Sequence, residues 1–135
     1  QAAIVSFKLD HLEEWTDRRQ AIARKYTSVF DEISSISVPR ELPKSKHVFH
    51  KYAMTAGSKR DRLKKHLKQA GIGTMVHYTP ALNQEPLFSE YVESNIAFPT
   101  AERLSREELS LPIYPELQDS EINYVCEQVM NFDWH

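Results

Sequence analysis

The chain has 135 residues, enough for one domain with its own core and too few for a two-domain enzyme. Hydrophobic residues at 41%, charged residues at 27% and a net charge of −2 describe an ordinary globular protein and call for no polyanionic partner. The single cysteine, Cys126, excludes an internal disulfide framework and a cysteine-rich zinc site, and no apolar run approaches the roughly 20 residues of a membrane span.

From Ala2 to Phe30 the apolar residues Ile4, Phe7, Leu12, Trp15, Ile22, Tyr26 and Phe30 fall on one helical stripe. Arg18, Arg19, Arg24 and Lys25 read as its wet face. The pattern predicts one long helix, or two separated near Leu9-Asp10. Gln1 has no capping residue before it, no initiator Met and no charged-then-apolar leader, so the chain is expected to be a fragment of a cytoplasmic protein. Pro39 and Pro43 make residues 34–45 a connector. His47 to Met54 reads as a strand.

Ser58 is the expected N-cap of a helix whose narrow apolar edge is Leu63, Leu67 and Ala70, with Asp61 as a weaker capping-box partner and Gly71 as its stop. Gly73 to Tyr78 reads as a second strand, followed by a proline-containing stretch from Thr79 to Thr100. Thr100 is expected to cap a short helix to about Glu107. Leu109 to Tyr114 reads as a third strand, placed at an edge because Pro112 cannot donate to a ladder. Asp119 is expected to cap the last helix, with Ile122, Val125, Val129 and Met130 at core spacing. The fold class is therefore α/β: a small sheet of about three strands packed with helices and preceded by a long N-terminal helix. The chain divides into a linking helix region, 1–33, and an α/β body, 47–135, within a single domain, 1–135.

Charge is uneven, with 10 basic and 2 acidic residues from Arg40 to Lys68 but 2 basic and 8 acidic from Ala101 to the end. The helix after Ser58 carries Lys59, Arg60, Arg62, Lys64, Lys65 and Lys68. No aromatic residue interleaves them, so they read as a solvated face and not as a nucleic-acid patch. The histidines form no metal set. His47 and His50 would stand on opposite faces of a strand, His66 lies on the basic helix, and His11 and His135 lie near the ends. Cys126, beside Val125 on an apolar stripe, reads as a small buried side chain. His77-Tyr78 ends a predicted strand where α/β folds present binding groups, and admits two readings: a ligand contact, or a half-buried histidine bonded to backbone.

Four segments resemble the DegT/DnrJ/StrS aminotransferases over essentially the whole chain: QAAIVSFKLDHLEEWTDRRQAIARKY, HVFHKYAM with RDRLKKHLKQAGIGTMVHY, AFPTAERLSREELSLPIYPEL, and DSEINYVCEQV. The resemblance implies the C-terminal small domain of a fold type I, pyridoxal-phosphate-dependent enzyme. Such an enzyme is a homodimer that moves an amino group, commonly from glutamate, onto a nucleotide-linked keto sugar in amino-sugar or cell-surface polysaccharide biosynthesis. The family's Schiff-base lysine and cofactor-holding residues lie upstream of Gln1, so the resemblance implies no catalytic residue and no bound cofactor in this chain. It places His77, Tyr78 and Asn83 on the substrate side. Where many members read P-x-P-L-H-x-Q-P, this chain has Thr79-Pro80-Ala81-Leu82-Asn83-Gln84-Glu85-Pro86, so Asn83 replaces a histidine and Glu85 a glutamine. Ser110 to Pro115 reads as structural. Two other readings stand beside the fragment: a stand-alone module that binds a sugar nucleotide or a protein, and an assembly domain whose first helix covers a partner chain.

Overall fold

The N-terminal stripe folds as two helices, α1 (Ala2–Leu9) and α2 (Leu12–Phe30), in a computed structural model that describes residues 1–88, 91 and 96–134. The break falls at Asp10-His11, the second of the two arrangements its pattern allowed. Helix α1 buries none of its residues. Helix α2 buries Ile22, Tyr26 and Phe30, four apart and hence on one face. Glu13 and Glu14 in its first turn suit the positive end of the helix dipole. Arg18 is not a fully wet residue: its guanidinium donates to the Leu117 carbonyl at 2.6 Å and pairs with Asp119 at 2.7 Å.

The strand expected from His47 to Met54 begins only at Tyr52, as β1 (Tyr52–Thr55). Phe49 has φ +45°, outside the extended region, and its N–H is taken by the His47 ring at 2.9 Å, so the ladder cannot start earlier. Strand β1 pairs antiparallel with β2 (Glu108–Leu111), Tyr52 opposite Leu111 and Met54 opposite Leu109. The expected strand 73–78 contributes one bridge, Met75 to Ser110, on the other side of β2. Strand β2 thus has neighbours on both sides and is not an edge. Pro112 lies just beyond its end, where the proline carbonyl accepts from the Tyr26 hydroxyl at 3.0 Å.

Ser58 does not cap. A single 3₁₀ turn, Gly57–Lys59, leads into α3 (Arg60–Gln69). The stop at Gly71 holds: at φ +77° its N–H donates to Lys68, and Ile72 N–H donates to Leu67, the double bond of a Schellman ending. Helix α4 (Pro99–Glu107) has Pro99, not Thr100, at its start, with Phe98 in the cap position. Helix α5 (Asp119–Met130) is capped by Gln118 in a capping box with Glu121, which leaves Asp119 to pair with Arg18. Ile122, Val125, Cys126 and Val129 are buried in one core with α2, α3 and both strands, while Met130 is exposed. Burial pushes the Cys126 thiol up, consistent with a packing residue. The basic and acidic stretches meet in part, as Arg62 pairs with Asp133 at 3.0 Å.

Candidate functional site

The Met75–Ser110 bridge sets a register in which His77 faces Glu108, and there the regular ladder gives way to side chains. The Glu108 carbonyl, which a strand would use, accepts from the Arg60 guanidinium at 3.2 Å. The His77 N–H donates instead to Glu108 Oε2 at 2.7 Å. Ser110 Oγ donates to Glu108 Oε1 at 2.6 Å and lies 3.0 Å from His77 Nδ1. Glu108 and Ser110 are two apart in β2, so both project from one face, and both are buried. His77 Nδ1 is 4.0 Å from Glu108 Oε1, close enough for charge attraction whenever the imidazole is protonated. The His77 ring is bonded not to backbone but to a serine that is itself held by a carboxylate.

Arg60 explains part of this burial. It is 7% exposed, contrary to its reading as solvated, and it also serves the Ser105 carbonyl. Its Nε lies 2.7 Å from Asp61 Oδ1, a close ion pair without the alignment of a hydrogen bond.

Tyr78 stands out at 73% exposure, edge-on to the His77 ring, with the Lys51 ammonium 5.3 Å from its ring centre. The peptides before Tyr78 and Pro80 are cis. His77, His50, Lys51, Met75, Ser110 and Pro112 are among the residues around an open depression of about 330 Å³. Asn83 is not part of it. The Asn83 amide donates to Glu102 at 2.9 Å, and the residue borders a separate apolar depression with Leu82, Phe88 and Phe98. The structure therefore brings His77 and Tyr78 together and leaves Asn83 apart.

Glu108, Ser110 and Lys51 were not picked out as site residues by sequence reasoning. The available clue was E-L-S-L itself, which puts two polar side chains on one face of an apolar strand. No group of three metal-ligating side chains forms among the described residues, and His135 lies outside them. A pyridoxal phosphate site asks for a lysine amine beside a phosphate cradle and a partner for the ring nitrogen. Seven of the nine lysines are exposed; Lys59 is tied to the Trp134 carbonyl and Lys51 stands over Tyr78. The two lysines that are not exposed are thus already engaged.

Comparison with known proteins agrees with the fold. The chain is 39% identical over its whole length to a pleiotropic regulatory protein of Geobacillus stearothermophilus, of which it covers 37%. It is 34% identical to the dTDP-3-amino-3,4,6-trideoxy-alpha-D-glucose transaminase of Streptomyces venezuelae, over 87% of this chain and 31% of that protein. The crystal structure of S. venezuelae DesV in complex with a ketimine intermediate superposes with a TM-score of 0.91 at 32% identity, over 96% of this chain and 34% of that one. The chain thus spans about a third of the length of the curated relatives it matches. The family model matches residues 1–130, nearly all of the sequence, and on that evidence the chain belongs to the DegT/DnrJ/EryC1/StrS aminotransferase family.

Proposed function

We propose that this chain is the C-terminal, substrate-side part of an aminotransferase that acts on nucleotide-linked keto sugars. The family uses pyridoxal phosphate, which when bound serves as electron sink and amino-group carrier. The lysine and the cofactor cradle belong to the rest of the enzyme. The contribution of this chain is to bind and orient. His77 offers a fixed imidazole at the rim of the depression, Tyr78 an exposed aromatic face, and Lys51 a cation beside it. A nucleotide sugar supplies the matching parts: hydroxyls, a flat apolar surface and phosphates. Asn83 joins the substrate side through the apolar depression that it borders, its amide already committed to Glu102. Glutamate as amino donor, a homodimer and a cytoplasmic setting complete the proposal.

The observation that carries this reading is a polar group locked at a strand end beside an exposed tyrosine, in a chain of this family. A stand-alone module has no observation of its own in favour. The test is His77→Ala in the whole holoenzyme, read as two half-reactions. Loss of one hydrogen bond to substrate predicts a rise in KM for the keto sugar of about three- to tenfold. The glutamate half-reaction should hold its rate. An equal loss in both halves, or none in either, would rule out the substrate-side assignment.

A further inference from the structure

We infer that Glu108 and Ser110 set the tautomer of His77, so that Nε2 meets the ligand as a hydrogen-bond acceptor and the group it reads is a hydroxyl. This rests on His77 being a substrate-side group. The argument is proton bookkeeping. A carboxylate accepts and has nothing to donate, and Glu108 accepts twice: from the His77 N–H at Oε2 and from Ser110 at Oε1. A serine hydroxyl carries one proton. Having given it to Glu108 at 2.6 Å, Ser110 can meet His77 Nδ1 at 3.0 Å only as an acceptor, so the proton of that bond belongs to Nδ1. A neutral imidazole holds one N–H, and Nε2 is then a bare lone pair. That nitrogen has no hydrogen bond among the described residues, and the side chain that carries it is 14% exposed at the rim of the depression.

A lone pair selects its ligand by chemistry. A sugar hydroxyl or an amide N–H donates to it, whereas a keto oxygen or a fully ionised phosphate has no proton to give and is repelled. In this role Glu108 and Ser110 are positioning residues. They act through His77, deciding what its ring presents. The burial of both residues keeps water from scrambling the chain of bonds.

The whole holoenzyme, labelled with ¹⁵N-histidine and held at mildly alkaline pH without substrate, gives the direct readout. Native protein should show His77 with protonated Nδ1 and unprotonated Nε2. The converse tautomer, a doubly protonated ring or an even mixture would overturn the inference without any variant being made. Glu108→Gln sharpens the test at nearly constant shape. Its amide oxygen still accepts from the His77 N–H, but its NH₂ donates to Ser110, whose hydroxyl is then free to donate to an unprotonated Nδ1. The predicted spectrum is inverted, with the proton on Nε2; an unchanged tautomer would refute the relay. KM for the keto sugar separates this inference from the reading beneath it. An inverted tautomer with a several-fold higher KM supports both. An inverted tautomer with unchanged KM leaves the relay standing and removes His77 from substrate recognition.

Discussion

The two faces of one four-residue ladder behave as different materials. On one face Tyr52, Met54, Leu109 and Leu111 are at most 3% exposed and pack into the core. On the other, from the same two strands, stand Ala53, Thr55, Glu108 and Ser110. The apolar face is content with shape. The polar face is almost as deeply buried at Glu108 and Ser110, so each polar atom there needs a named partner. Those partners are His77 and Arg60, and by taking the bonds that a third strand would have used they end the ladder after one bridge. Regular structure gives out where the side chains have other work.

The contrast breaks most severely from the apolar side. Leu109→Ala removes a side chain with no exposure from the core that α2, α3, α5 and both strands share, and should cost about 2–5 kcal/mol in urea unfolding. A loss below about 1 kcal/mol would mean that the core closes over the gap, and that this face is no better packed than the other.

The polar face should answer next, through Arg60. Arg60→Met keeps bulk and removes the donors to the Ser105 and Glu108 carbonyls, for an expected loss of about 1–3 kcal/mol. Little change would show that water serves those carbonyls, and the burial argued for this face would fail.

How much of this was legible in the sequence follows the same division. Period 3.6 located α2, α3 and α5, and Gly71 marked a helix end, because these depend on residues close in the chain. Strand limits were harder. Tyr52–Thr55 starts where Phe49 leaves the extended region, and Glu108–Leu111 is fixed by partners far away in the chain, in β1 and at Met75. Arg60 read as solvated because it stands in a run of basic residues, and four of its five basic neighbours are indeed exposed; only the fold carries α3 against β2. His77 and Tyr78 were visible as a strand-end pair and were reinforced by the family resemblance. Glu108 and Ser110 were not, since nothing in E-L-S-L-P says that their shared polar face is buried until His77 is set opposite it. Asn83 was chosen by its place in a motif, and its tie to Glu102 runs through a helix start that Pro99, not Thr100, defines.

The apolar face carries one polar atom of consequence, and it gives the mildest test. The Tyr52 hydroxyl shares a 3.0 Å hydrogen bond with Thr27, and at neutral pH Tyr52→Phe should cost about 0.5–1.5 kcal/mol. Alkaline titration reads the dryness of the face more directly. Burial pushes the Tyr52 phenol up to about 12 from 10, and pushes Tyr26 further in the same direction. Between those values the unfolded chain gives up the proton and the folded chain keeps it. Their contribution is therefore whole below pH 10 and is lost as pH rises toward 12, at roughly 1.4 kcal/mol per pH unit for each tyrosine. Tyr52→Phe should remove one of the two contributions and halve the slope. A slope unchanged by that substitution would place the Tyr52 hydroxyl in water, and the two faces of the ladder would then differ in composition and not in dryness.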